Sequence, residues 1–577
     1  MSERTIRMPE IDLTRAKELS ASFLHSYAFF ALLALPILYY VCVVIYRLTL
    51  HPLAKYPGPI FGRTSQWYDV YHAFKGDKHI NFYLLHKKYG TVVRFSPNCL
   101  SINDPAALRA IYSHGANVQK SEFYKMFRAA PGAISTLLAT EKNHHARKRR
   151  IMGQAFSDQA LRGLEQYVLQ AVNTFMSRIE VGVQTAREEK RTWSQPLDMS
   201  RWCNWLVFDI MGELVFGRSF GTLGEKPENR DAIRLLGRAA QRNYVIGAMP
   251  WLGKSGIEKY LPPFRSLWND RCQYLAFGKR QVMERTQDTS FGESGRSDIF
   301  SYLLHAKDPE TGEGLPKGEL WMEGNTLIVA GSDTTSTTLS ATLYYLLHNT
   351  SCLERLTEEV RLTFSTEDEI RMGHKLNSCT YMRACIDEAM RMSPAVGGLL
   401  PRQVLAGGLR IPSLDLTLPP GVDVGVCTYA IQHHEDYVDE PFVYDPSRWL
   451  SNDSSLKGHN RQRSDSGVDV TSFDISSPIS EKQNDAEREA LHSVFVPFSM
   501  GNRACLGKPL VYMELGIALA RLVYAYDMRL VPSRIEDKTV QKELRQGKRD
   551  RREYQLKDYF MSMNYGPVAE FKPRQAL

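Results

Sequence analysis

The chain has 577 residues, 43% of them hydrophobic and 24% charged, with a formal net charge of +8. The composition is ordinary for a globular protein, and the positive surplus is scattered with no basic module patterned for nucleic acid, so no nucleic-acid partner is expected. Nine dispersed cysteines without metal-ligand spacing read as reduced cytosolic thiols.

In chain order, a polar tail (1–26) precedes Tyr27 to Tyr46, a run free of charged residues. About twenty residues at 1.5 Å each span a ~30 Å hydrocarbon core, so 27–46 is expected to be a single transmembrane anchor. A secretory leader fits less well, because its apolar region is shorter and ends at small residues. Arg47, Lys55 and Arg63 follow, favouring a cytosolic C-terminal side, although Arg4, Arg7, Arg15 and Lys17 blur the asymmetry. Residues 47–60 are proline-rich and are expected to be a hinge. Val92 to Phe95 and Cys99 to Ile102 read as a short hairpin, followed by a helix capped by Asp104 with Pro105 at its first position.

His145 and Arg149 stand four apart, on one face of a basic helix, and His144 leaves a second register open. A long apolar helical run, Trp321 to His348, contains Ala330-Gly331-Ser332-Asp333-Thr334-Thr335. Glycine and hydroxyl residues are poor mid-helix choices, so a local widening is expected there, with a hydroxyl and a carboxylate facing a small ligand. Glu388 and Arg391 place opposite charges at i and i+3, and Ser393-Pro394 ends their helix. Leu416 to Leu418 and Val422 to Val426, around Pro419-Pro420-Gly421, read as a second hairpin. Ser451 to Asp485 lacks apolar periodicity and reads as a disordered insertion, and Glu536 to Glu553 as a solvated charged excursion.

The most specific segment is Phe498-Ser499-Met500-Gly501-Asn502-Arg503-Ala504-Cys505-Leu506-Gly507. Gly501 allows a turn that a Cβ would obstruct, and Gly507 lets the main chain pass close to a flat macrocycle. Pro509 opens a helical stretch from Leu510 to Tyr526, so Cys505 sits before a helix start, where free N–H groups favour a thiolate. A thiolate donates strongly to heme iron and favours O–O cleavage over oxygen carriage.

This loop resembles that of the cytochrome P-450 family, F-x-x-G-x-R-x-C-x-G, at every position, and the 330–335 segment matches the family's (A/G)-G-x-(D/E)-T-(T/S). Together with Glu388-Ala389-Met390-Arg391, Pro446-Ser447-Arg448-Trp449 and a histidine variant of the W-x-x-x-R helix at 145–149, the resemblance covers roughly Tyr46 to the C-terminus. It implies a mainly α fold with a minor β region, one heme domain over 61–577, and heme b on the Cys505 thiolate. It also implies Thr334 as hydrogen-bond partner of dioxygen and Asp333 as proton relay. Phe498, Gly501, Arg503, Gly507, His145, Arg149 and Arg402 would serve the cofactor, and Glu388, Arg391 and Arg448 would form a structural triad.

The expected activity is oxidation of an apolar organic substrate by O2, with electrons from NADPH through a separate reductase, in fungal secondary metabolism. The family precedent adds an endoplasmic-reticulum anchor with a cytosolic catalytic domain. Lys148 and Lys508 are expected on the cysteine side, where an acidic electron donor would dock. Ala330, Val396 to Leu400 and Phe560 to Ser562 are candidate substrate-lining residues. A thiolate-heme isomerase or dehydratase that needs no external electrons, or a sterol or fatty-acid hydroxylase, are the alternatives.

Overall fold

The computed structural model describes residues 32, 34–129, 132–224, 229–287, 298–450, 478–532 and 537–574. Eight helices position the site: α1 (Lys142–Gln154), α2 (Asp158–Glu188), α3 (Met199–Phe216), α4 (Arg230–Ala248), α5 (Pro262–Gln287), α6 (Lys317–His348), α7 (Thr380–Met392) and α8 (Lys508–Ala525). The largest apolar core gathers α2, α3, α6, α7 and α8, where Phe175, Leu206, Leu346 and Leu522 are fully buried. Each such side chain contributes about 1.5–3 kcal/mol relative to exposure.

Helix α6 explains how a Ser/Thr-rich segment can be buried. Its hydroxyls donate to carbonyls one turn back: Thr334 to Ala330 (2.6 Å), Thr338 to Thr334 (2.9 Å), Ser340 to Ser336 (2.8 Å) and Thr342 to Thr338 (2.8 Å). These four hydroxyls are thus satisfied within the helix, at some cost in straightness, while the buried Ser332 Oγ has no partner among the described residues. The expected widening is not seen, since α6 is one continuous α-helix. Gly331 has a packing reason instead: a Cβ there would come within 2.5 Å of Met211 Sδ on α3.

The minor β region has twelve strands among the described residues. β1 (Val92–Ser96), β2 (Cys99–Ile102), β3 (Val118–Lys120), β4 (Leu197–Asp198), β5 (Arg402–Val404), β6 (Leu409–Ile411) and β7 (Leu416–Leu418) come first. β8 (Asp423–Gly425), β9 (Tyr526–Leu530), β10 (Lys557–Tyr559), β11 (Met561–Met563) and β12 (Val568–Pro573) follow. The main sheet has the order β1-β2-β8-β5-β3, with β4-β12-β9 and the hairpins β6-β7 and β10-β11 apart from it. The β1-β2 hairpin forms as expected, and Asp104 caps the next helix through Ala106 N–H (2.7 Å).

The second expected hairpin is corrected. β7 pairs with β6, while β8 pairs with β2 and β5, and side chains from all five strands enter one apolar cluster. The charged stretch is corrected too. Lys538–Arg545 is a helix, Glu543 and Arg549 are buried as an ion pair (2.6 Å), and buried Glu553 accepts from Tyr429 Oη (2.8 Å).

Of the expected insertion, 451–477 lies outside the described residues. The rest is not without structure: a helix, Pro478–Val494, begins inside it and is held at its far end by buried Leu491 and Val494. Residues 1–31 and 33 also lie outside the described residues, and 34–49 is helical. Among the described residues no helix is long and apolar enough to cross a membrane. The expected hinge is docked rather than loose, with Leu53 and Tyr56 buried.

Candidate active site

The cysteine loop lies between a short 3-10 turn, Gly501–Arg503, and the start of α8. Gly501 has φ +65°, and a Cβ on it would stand 2.2 Å from the Tyr112 carbonyl oxygen, so both conformation and space require glycine. Gly507 has an ordinary φ of −77°, and a Cβ there would only touch Cys505 Sγ at 3.8 Å. Cys505 N–H donates to the Phe498 carbonyl (2.9 Å), closing the loop. Phe498 packs against Tyr512 with ring centroids 5.4 Å apart.

Cys505 is accessible, unlike Cys203, Cys379, Cys385 and Cys427, and all nine cysteines are unpaired. Desolvation by the surrounding protein raises its thiol above the free value. The backbone N–H groups of Gly507 and Lys508 and the charges of Arg149 and Lys508 act the other way, favouring the thiolate.

Beside this loop is a cavity of about 450 Å³ lined by Lys120, His145, Arg149, Arg402 and Arg503 and by no acidic residue. Arg503 donates to the carbonyls of Ala139 and Thr140, Arg402 to Tyr124 Oη (3.0 Å), and Arg149 to the Ala504 carbonyl (2.6 Å). Burial, then the charges of Arg503, Lys120, Arg149 and Arg402, push the His145 imidazole far below its usual range, so it is neutral and can still donate one hydrogen bond. Cations enclosed without a carboxylate call for a bound anion. A heme fits this donor set, with the Cys505 thiolate for the iron and the guanidinium and ammonium groups for the propionates.

The two histidines of α1 part ways. His145 faces the cavity, whereas His144 Nε2 lies 3.5 Å from Glu319. Lys120 was not legible in the sequence: it stands on β3 with no motif around it, and only the pairing of β3 with β5 brings it beside Arg402. Lys148 is corrected. It is fully buried and paired with Glu319 (2.7 Å) and Glu323 (3.4 Å), so it offers nothing to a docking partner, while Lys508 is exposed.

On α6, burial pushes the Asp333 carboxyl up to about 7, and its charge reaches the Tyr274 hydroxyl on α5. Glu514 on α8, fully enclosed beside Thr335, is pushed up to about 8 by burial and is a second protonated carboxyl that no motif announced. Across the cleft, Phe560 sits at the β10-β11 turn with φ +77°, a costly conformation for an aromatic residue. Its N–H donates to Asp558 Oδ1 (3.1 Å), Asp558 Oδ2 accepts from Tyr244 Oη (2.9 Å), and the Phe560 ring packs among Phe123, Tyr124 and Phe127. Behind the site, Glu388 accepts from Arg391 Nε (2.9 Å) and Nη2 (2.8 Å), Arg448 Nε (3.0 Å) and Trp449 Nε1 (3.0 Å).

A helical body that carries an accessible cysteine in a glycine turn beside a cationic cavity, and an acid-alcohol pair on α6, fits a heme-thiolate protein. The chain belongs to the cytochrome P450 family, whose profile matches residues 52–552. It is 38% identical to the cytochrome P450 monooxygenase AKT7 of Alternaria alternata, over 94% of this chain and 97% of that protein. It is 37% identical to the cytochrome P450 monooxygenase atnE of Emericella nidulans, over 95% and 97%, and 35% identical to apf7 of Gibberella fujikuroi, over 93% and 96%.

Proposed function

We propose that this enzyme is a monooxygenase of fungal secondary metabolism that inserts one atom of O2 into an apolar organic substrate and reduces the other to water. The electrons would come from NADPH through a separate reductase. When bound, heme supplies the oxygen-activating and electron-accepting chemistry. The protein's part is to hold a thiolate at Cys505, to seat anionic groups on Lys120, Arg402 and Arg503, and to deliver protons. What supports the reading is membership of the family together with an accessible Cys505 in its glycine turn and a proton-holding Asp333 next to Thr334 on α6. Asp333 holds a proton near neutral pH and releases it readily there. Thr334, now donating to Ala330, can rotate to offer its hydroxyl to the cleft. Thr334 and Asp333 would be the catalytic residues, and His145 and Arg149 would support the cofactor from α1.

The partition into a 27–46 anchor, a 47–60 connector and a 61–577 catalytic domain on the cytosolic face of the endoplasmic reticulum belongs to the same proposal. It is supported by the charge-free run in the sequence and by Leu35, Ile37, Leu38 and Tyr39, which are exposed on the 34–49 helix. Exposed Lys508, beside the cysteine loop, would receive an acidic face of the reductase. The test is NADPH and O2 consumption by the purified protein with added reductase, on a panel of apolar compounds scored for product. Turnover that needs neither NADPH nor reductase would make it an isomerase or dehydratase instead.

A further inference from the structure

Two cation-forming side chains stand directly opposite each other in the cavity beside the cysteine loop. Lys120 on β3 is the register partner of Arg402 on β5, so the two share one face of the sheet, and both are buried, at 7% and 4% exposure. Like charges directly opposite across a strand pair are destabilising, and burial strengthens the repulsion. The other elements around Lys120 bring little relief. Arg503 from the cysteine loop and His145 and Arg149 from α1 line the same cavity. The Tyr124 ring lies 4.7 Å from the ammonium, and its hydroxyl accepts from Arg402 (3.0 Å). Glu323 on α6, whose charge reaches Lys120, accepts from Thr136 N–H (2.7 Å) and lies 3.4 Å from the buried Lys148 ammonium.

Among these cations lysine is the one that sheds its charge, because a guanidinium stays protonated whereas a buried ammonium shifts readily. Burial, then the charges of Arg402 and Arg503, holds Lys120 well below the ordinary lysine value, against the pull of Glu323. Its ammonium makes a single hydrogen bond among the described residues, to the Leu137 carbonyl (2.5 Å), which leaves donor capacity for a ligand.

We propose that Lys120 takes up a proton from solvent when the heme propionates seat against it, so that cofactor loading and protonation of this residue are one coupled event. No covalent bond changes. A carboxylate close to the amine favours the ammonium form and so reverses the effect of the arginines. By linkage, heme affinity falls as pH rises between the lowered value of Lys120 without propionates and its higher value with them, by up to about tenfold per pH unit relative to a variant of fixed charge at 120. Cys505 works in the opposite sense, since it gives up its thiol proton to become a ligand, so the comparison that isolates the lysine is between variants at 120.

This coupling rests on the heme-thiolate reading, and its test counts protons instead of turnover. The full-length holoprotein, weakly buffered at about pH 8, below the ordinary lysine value of about 10.4, is mixed with excess heme-scavenging apoprotein. A pH indicator reads the protons released while absorbance follows heme transfer. Native protein should release one more proton per heme than Lys120→Arg, which keeps its charge, and than Lys120→Met, which never carries one. The scavenger and Cys505 contribute alike to all three, and if either variant loads no heme the other gives the same comparison. His145→Gln should match native. Equal counts in native and the variants at 120 would overturn the proposal and leave Lys120 in one protonation state throughout. Loss of the extra proton in His145→Gln would overturn it too, by moving the titration to the imidazole. Absence of the red-shifted ferrous-carbonyl band in the native holoprotein would instead sink the thiolate reading, while the proton count would still judge the lysine.

Discussion

Glu388→Gln probes the most heavily bonded buried charge behind the site. The carboxylate accepts from Arg391 twice, from Arg448, from Trp449 and from Asp445 N–H (3.2 Å), and both Glu388 and Arg391 are 0% exposed. The glutamine keeps the shape but turns one end into a donor. On either choice of flip that amide faces at least two N–H groups, and Arg391 is left buried without its countercharge. Removing one partner of a buried pair costs about 3–5 kcal/mol, against a total stability of about 5–15 kcal/mol.

The assay is urea unfolding of the holoprotein, followed by tryptophan fluorescence and by the ferrous-carbonyl band. Against the penalty of burial, Arg391 and then Arg448 hold the Glu388 carboxyl below its ordinary value. Its contribution is therefore complete above the unfolded value of about 4.5 and fades as pH falls through the lower, folded value. The gap between native and variant should shrink in that acid window. The double variant Glu388→Leu/Arg391→Met should recover part of the loss, since apolar replacement of a whole pair is commonly tolerated. Glu388→Gln within 0.5 kcal/mol of native at pH 7 would refute the reasoning.

Cys505→Ala should abolish the red-shifted ferrous-carbonyl band and all turnover, read by difference spectroscopy, because no other residue of the loop supplies a thiolate. Thr334→Ala should keep heme and substrate binding but divert consumed O2 to hydrogen peroxide, measured as peroxide released per NADPH oxidised. Asp333 is proton-bearing below about pH 7, so coupled turnover should fall as pH rises through 7, and Asp333→Asn should be slower and lack that limb. Gly501→Ala adds about 1–2 kcal/mol of backbone strain to a 2.2 Å contact with Tyr112, and should purify with reduced heme content.

Signals local in sequence were legible. The cysteine loop, the Asp104 cap, the helix end at Ser393-Pro394 and the Glu388-Arg391 pair each depend on residues within a few positions of one another. What escaped depends on partners far along the chain. Lys148 looked like a solvated cation because Glu319 and Glu323 lie more than 170 residues away, and the 538–553 charges looked solvated because Glu553 is satisfied by Tyr429. Turn chemistry was visible around Gly421, but the pairing of β8 with β2, far back in the chain, and with β5 was not. In α6 the motif was legible, yet Gly331 serves Met211 packing, a contact between helices that no single segment reveals.

The docked connector bears on where this protein can be cut. Arg94 is 0% exposed and spends its guanidinium on the carbonyls of Arg47 (2.7 Å) and Pro97 (2.7 Å), while its own N–H donates to Pro57 (2.8 Å). Its carbonyl oxygen lies 2.1 Å from where a Cβ on Gly58 would stand, so no other residue lets the two backbones meet there. A soluble fragment begun after the prolines would strip Arg94 of an acceptor and open the seam over β1, whereas one begun just before Arg47 keeps the seam closed. Residues 47–58 are thus a neck packed onto the folded body and clasped by an arginine.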